Sequence, residues 1–200
     1  MAKREARGRG EPPPTKRQSF PRGAILAGGF AVAIIAVMIT VTFNTTGGKA
    51  PNFEMTVYRG QDVLGGETVE LHDVLDQGKP IILNFWAALC PPCRQEMPGF
   101  QRLYNSRGEE YIMIGVDVGP FVGLGSHQDA VTFLDEFRIT YPTAWAPSRD
   151  PVIDYAVQSM PTTVFLTPDG TIFDRTIGFM PENKVLQKLE RLLLASQLPK

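Results

Sequence analysis

Residues 81–85 read Ile-Ile-Leu-Asn-Phe and are entered through Gly78-Lys79-Pro80. A short apolar block bounded by turn residues predicts a strand covered on both faces, and therefore central in a sheet. Residues 111–118 form a second block of this kind, followed by a loop carrying Gly119, Pro120, Gly123 and Gly125. Strand-like stretches at 53–59 and 68–71 flank Gly65-Gly66 and predict a hairpin, as do 162–166 and 171–177 around Thr167-Pro168-Asp169-Gly170.

Helical spacing fills the intervals. Ser126-x-x-Asp129 is a capping signal, and Val131, Phe133, Leu134 and Phe137 supply one apolar face through Arg138. Asp150-Pro151 opens another helix with proline in the tolerated first position. From about Pro181 a closing helix places Val185, Leu189, Leu192 and Leu193 on one stripe. The helix after 81–85 runs past Pro98, which is expected to kink it or end its first segment. This order predicts an α/β fold, a central mixed sheet flanked by helices.

Upstream the pattern changes. Residues 24–43 carry no charge, and twenty residues at about 1.5 Å each span roughly the 30 Å hydrocarbon core of a bilayer. The stretch predicts a single transmembrane signal anchor in contact with lipid. Seven basic and two acidic side chains precede it, a net of +5, which keeps residues 1–23 in the cytoplasm. The 13 basic and 19 acidic side chains that follow belong to an extracytoplasmic part, in the periplasm or at the cell exterior. A cleaved secretory signal fits less well, because the apolar segment is long and Ala50-Pro51 is a poor cleavage junction.

The arm is rich in Gly, Pro, Arg and Lys and cannot bury enough apolar surface to offset its ordering entropy, so disorder is expected there. Topology and anionic lipid head groups explain its basic residues, and no nucleic acid partner is implied. Residues 44–50 read as a flexible linker. Residues 51–200 suffice for one domain with a real core.

Both cysteines of the chain, Cys90 and Cys93, stand two residues apart behind the first apolar block. A Cys-x-x-Cys pair at the opening of a helix can close into a small ring and reopen with little movement elsewhere. Unpaired amides and the helix dipole favour negative charge there, which makes Cys90 the candidate nucleophile and Cys93 the resolving thiol. Zinc is disfavoured, since it needs about four ligands and His72 and His127 show no ligand spacing. A purely structural disulfide is poor physics, because this closed loop is nearly the shortest available.

Several motifs taken in order carry a family resemblance across residues 50–193. They are Ala50-Pro51-x-Phe53, Asn84-Phe85-Trp86-Ala87, Cys90-Pro91-Pro92-Cys93-Arg94-x-Glu96-x-Pro98, Met160-Pro161-Thr162-Thr163 and Pro168-Asp169-Gly170. The chain resembles the thioredoxin superfamily, in its TlpA/ResA-like branch of membrane-anchored extracytoplasmic thiol-disulfide oxidoreductases. That resemblance implies a thioredoxin-like fold with an N-terminal β-hairpin extension and a redox-active Cys90/Cys93 disulfide. It implies that Pro161 is a cis-proline beside the pair and that the backbone of Met160 bonds a bound peptide. Glu96 is implied to act on cysteine ionisation and proton transfer, against a plainer reading as an exposed glutamate at the helix start. Trp86 is a candidate partner contact, or packing. Leu89 departs from the tryptophan common before the first cysteine, and Asn84 from the buried aspartate of cytoplasmic thioredoxins.

The implied function is reduction of disulfides in exported proteins, with apocytochrome c and cytochrome c maturation the leading client and process. A membrane thiol-transfer protein would recharge the pair, and no organic cofactor or metal is required. Two rivals stand beside it. A peroxiredoxin-like thiol peroxidase shares the opening motif, but it places threonine where this chain has Ala87. A non-catalytic binding or metal-delivery module would need further ligands for copper.

Overall fold

A computed structural model describes residues 47–197. The segments read as arm and anchor lie outside them, and among the described residues no helix is long and apolar enough to cross a membrane. Seven strands form one sheet: β1 (Glu54–Arg59), β2 (Thr68–Glu70), β3 (Ile81–Trp86), β4 (Ile112–Asp117), β5 (Thr143–Trp145), β6 (Thr162–Leu166) and β7 (Ile172–Ile177). Their order is β2-β1-β5-β4-β3-β6-β7. The pairs β3–β4 and β4–β5 are parallel, and the others are antiparallel. Helices are α1 (Gln61–Leu64), α2 (Leu71–Leu75), α3 (Pro91–Arg107), α4 (Gly119–Val122), α5 (His127–Glu136), α6 (Asp150–Asp154) and α7 (Glu182–Gln197).

Strand β3 explains its own apolar sequence. Successive side chains point to opposite faces of a sheet, so Ile81, Leu83 and Phe85 enter one core while Ile82 and Trp86 enter the other. The first core is closed by Leu71, Val74 and Leu75 of α2 and Val152 of α6. Met97, Phe100 and Leu103 of α3, Phe133 and Leu134 of α5, and Val185, Leu189 and Leu192 of α7 close the second. The predicted capping box at α5 is present, with Ser126 and Asp129 bonding each other's backbone.

Two expectations need correction. Pro98 neither breaks nor ends α3, which runs as one helix from Pro91 to Arg107 with the proline inside. Its missing N–H deprives the Arg94 carbonyl of the usual donor four residues on, and the burial of Met97, Phe100 and Leu103 on either side offsets that loss. Ordered pairing also begins ahead of Pro51. The Gly47 amide donates to Ile172 O, the Ile172 amide to Gly48 O and the Ala50 amide to Gly170 O, each at 2.8 Å. Residues 47–50 are therefore fastened to the edge of β7, and only 44–46 of the expected linker lie outside the described residues.

One close approach makes a stability test. Gly60, between β1 and α1, has φ +80°, and a Cβ there would lie 2.8 Å from Pro142 Cγ and 2.9 Å from Pro142 Cα. Gly65 has φ +101° and nothing within 4 Å of a Cβ. Gly65→Ala should cost about 1–2 kcal/mol for the left-handed backbone alone. Gly60→Ala should cost about 1–3 kcal/mol more, because the clash is with main chain. Urea denaturation of both variants checks the order, and equal losses would refute the steric account.

Candidate active site

The fold delivers the cysteines to the carboxyl end of the central strand. After Trp86 the chain turns through Ala87–Leu89, and Cys90 becomes the N-cap of α3 with an extended backbone. Cys90 and Cys93 are joined as a disulfide and are 2 % and 0 % exposed, whereas Leu89 beside them is 56 % exposed. The exposed rim beside the pair is thus an aliphatic side chain.

The amides at the start of α3 can all be accounted for. An α-helix leaves its first four N–H groups without helical partners. Here the Cys90 amide donates to Ala87 O at 3.2 Å, while Pro91 and Pro92 have no N–H. The Cys93 amide is what remains, and it donates to Cys90 Sγ at 3.3 Å. The first intrahelical bond follows at once, from the Arg94 amide to Cys90 O at 3.1 Å. The positive end of the helix is therefore directed at the sulfur assigned as nucleophile.

The loop before Cys90 is held from two sides. The Leu89 amide donates to Leu124 O at 2.9 Å, and Arg94 Nη1 donates to Ala88 O at 3.2 Å. The same guanidinium pairs with Glu136 at 2.8 Å and lies over the rings of Phe133 and Phe137. An open groove of about 370 Å³ lies against Cys90, with walls from Pro91 and Pro92, from Val122 and Leu124, and from the segment 157–160 ending at Met160. None of the described residues lining it is charged.

The remaining predicted residues separate clearly. The Met160–Pro161 peptide is cis, as the resemblance implied, and Met160 borders the groove. Glu96 is no exposed helix-start residue. It is 2 % exposed, accepts from Asn84 Nδ2 at 2.8 Å and from the Met180 amide at 3.0 Å, and lies one turn beyond Cys93. Asn84 also donates to Thr163 Oγ1 at 3.0 Å. Burial pushes the Glu96 carboxyl up to about 7, against the two hydrogen bonds that favour its charged form. Trp86 corrects the notion of a partner contact: it is 0 % exposed, with its ring 5.3 Å from Phe133. The second residue of an inward pair on β3 faces the core and cannot reach a client.

Partners of Glu96 were only half legible. Asn84 stands in the Asn84-Phe85-Trp86-Ala87 motif, whereas the Met180 amide carries no sequence signal. Val122 and Leu124 sit in the glycine-rich loop, which proves to contain α4 and to close back onto the cysteine loop.

With this geometry in place, the comparisons with known proteins agree. Residues 46–175 match the AhpC/TSA family. Thioredoxin-like protein YneN of Bacillus subtilis is 33% identical over 145 residues, covering 72% of this chain and 78% of its own. Thiol-disulfide oxidoreductase ResA of Oceanobacillus iheyensis is 33% identical over 150 residues, 74% of this chain and 70% of its own. Among solved structures, the exposed lipoprotein thioredoxin Etrx1 of Streptococcus pneumoniae superposes with a TM-score of 0.58 at 26% identity, covering 71% of this chain and all of that one. The cysteine pair at the head of α3 and these relatives define a thioredoxin-like thiol-disulfide oxidoreductase. The chain belongs to the AhpC/TSA family.

Glu96 makes pH a test of the site. Its folded pKa, about 7, lies above the ordinary 4.5, so the folded state keeps a proton that the unfolded state releases between those values. Stability should therefore fall as pH rises through that window and level off above 7, by about 3 kcal/mol in all. Glu96→Gln should flatten this decline, since the neutral amide mimics the protonated acid and Asn84 can turn its amide to accept. Urea denaturation from pH 4.5 to 8 measures the slope, and a slope unchanged by the substitution would assign it to another group.

Proposed function

We propose that this chain is a membrane-anchored reductant of disulfides in exported proteins, working outside the cytoplasmic membrane. The observation that carries the redox step is the Cys93 amide donating to Cys90 Sγ at the head of α3, beside an open groove. In the dithiol state that position favours the Cys90 thiolate. The thiolate attacks one sulfur of a client disulfide, forming a Cys90–client bond and releasing the other client sulfur as a thiolate. Cys93 then gives up its proton, and its sulfur attacks Cys90 Sγ. The intramolecular disulfide closes and the second client sulfur leaves. Two electrons pass to the client, and the pair is oxidised.

Glu96 is the proposed acceptor of the Cys93 proton. It lies on the same face of α3 one turn away, buried, with a carboxyl poised near neutrality. A dithiol protein of the membrane is proposed to return the two electrons. Apocytochrome c, whose haem-attachment cysteines must be reduced, is the proposed client on the strength of the motifs, and the backbone of Met160 is proposed to bond its extended segment. The uncharged run 24–43 and the basic arm before it support the anchor and the extracytoplasmic placement.

Cys93→Ser in the full-length chain should accumulate a mixed disulfide on Cys90 with exported proteins, and Cys90→Ser should accumulate none. Non-reducing gels and mass spectrometry identify the trapped client. Failure to trap any protein at verified expression would count against the mechanism. In intact cells, a membrane-impermeant maleimide should label Cys90 once the pair is reduced; labelling only after lysis would overturn the topology.

A further inference from the structure

Away from the cysteines, three side chains from three elements converge at the carboxyl end of β4. Asp117, buried, ends that strand; Tyr58 comes from β1; His127 opens α5. Asp117 Oδ1 accepts the Gly119 amide at 2.8 Å. The Tyr58 hydroxyl oxygen lies 3.2 Å from Asp117 Oδ2 and 2.6 Å from His127 Nδ1. His127 Nδ1 is 3.6 Å from Asp117 Oδ2, too far for a direct hydrogen bond, and its ring lies 4.2 Å from that of Trp145.

Proton counting fixes the direction of these bonds. A buried carboxylate accepts only and must be satisfied, and tyrosine has one hydroxyl proton. Tyr58 therefore donates to Asp117 Oδ2, and its oxygen accepts from a proton on His127 Nδ1. The relay runs from histidine through tyrosine to carboxylate.

It also grips both ends of one segment, at Gly119 and at His127. Between them the Leu124 amide donates to Gly119 O at 3.0 Å, and Leu124 O accepts the Leu89 amide. A Cβ on Gly125 would sit 3.3 Å from Ala88 Cβ and 3.4 Å from Leu89 Cγ, so the segment lies directly against the cysteine loop. Val122 and Leu124 are a wall of the groove at Cys90.

We propose that Asp117, acting through Tyr58 and His127, is a positioning residue that sets this groove wall against the Cys90 loop and so governs engagement of protein disulfides rather than the sulfur's own reactivity. The assignment rests on the redox reading above, because only a client that fills the groove feels the wall.

The test uses the full-length chain in a mild detergent with dithiothreitol as electron donor. Insulin serves as the protein disulfide and oxidised glutathione as the small one. Asp117→Asn keeps the Gly119 bond but turns the relay round: Asn Nδ2 donates to Tyr58, the hydroxyl then donates to His127 Nδ1, and the ring proton moves to Nε2. Tyr58→Phe deletes the link. Imidazole 15N spectra should show His127 protonated at Nδ1 in the parent chain and bare at Nδ1 in Asp117→Asn, with His72 assigned through His72→Gln. Tyr58→Phe, which deletes the link, should raise KM for insulin about five-fold, the effect of a lost hydrogen bond, with turnover of glutathione changed less than about two-fold, whereas Asp117→Asn, which keeps every link in reversed direction, should raise it less. If Asp117→Asn does not fold, Tyr58→Phe supplies the KM comparison. A parent chain with bare Nδ1, an insulin KM unchanged in Tyr58→Phe, or equal losses on both disulfides in that variant would overturn the proposal. A parent chain inert toward both disulfides would instead sink the redox reading, and the tautomer would still decide the relay.

Discussion

A single amide at the head of α3 sets the chemistry of the molecule. Helix N-termini normally share their unpaired N–H groups among water, side chains and ligands. Pro91 and Pro92 remove two of those groups from this terminus, and Ala87 O takes the Cys90 amide. The Cys93 N–H is left to face Cys90 Sγ. Proline costs nothing at these first positions, where no helical bond is lost, and its fixed φ already suits a helix. The pair between the cysteines therefore concentrates the helix end on one sulfur while stiffening the ring that the disulfide closes.

That amide is useful only if α3 stays where it is. The helix is fixed to the sheet by Met97, Phe100 and Leu103 and supported by α7 through Val185, Leu189 and Leu192. Placing the helix start at the end of the central strand puts it over the most buried ground in the domain, and Glu96 is carried into that ground. Two donors hold its carboxylate, yet desolvation wins and lifts the pKa to about 7. The Asn84 amide, which also ties β3 to Thr163 on β6, keeps this acid in place. Burial that would be a pure cost in an inert protein leaves a carboxyl that titrates near neutrality, as the proposed proton transfer from Cys93 requires.

What could be read from the chain follows from range. Strands β3, β4, β6 and β7 and helices α5 and α7 were legible because each has a local period or a local cap, such as Ser126 with Asp129. Strand β5, three residues long, and the short helices α1, α2 and α4 have no period to detect and exist because neighbours hold them. Pro98 misled for the same reason: its local penalty is real, but tertiary burial outweighs it. In the site, Cys90, Cys93 and Pro161 were legible as motifs. The surroundings of Glu96 were not, since its partners lie 12 and 84 positions away. The Tyr58–Asp117–His127 relay joins residues 59 and 69 positions apart, and the absence of ligand spacing around His127 gave no sign of it.

A positive side chain stands beside the pair in sequence. Arg94 directly follows Cys93, and a guanidinium there reads as a counter-ion for the nucleophile. Its bonds go elsewhere: to Ala88 O, to Glu136, and over the faces of Phe133 and Phe137. A guanidinium engaged by a carboxylate and two rings has little field left for a sulfur, so Arg94 acts by holding the Ala87–Leu89 turn. The described residues lining the groove add no charge of their own. In the proposed mechanism, stabilisation of the thiolate falls to the backbone at the head of α3, which is oriented by the fold and does not titrate. The groove offers aliphatic and proline walls with the uncharged polar side chains of Gln158 and Ser159, so a charged side chain placed there would lose water without gaining an ionic partner from its lining.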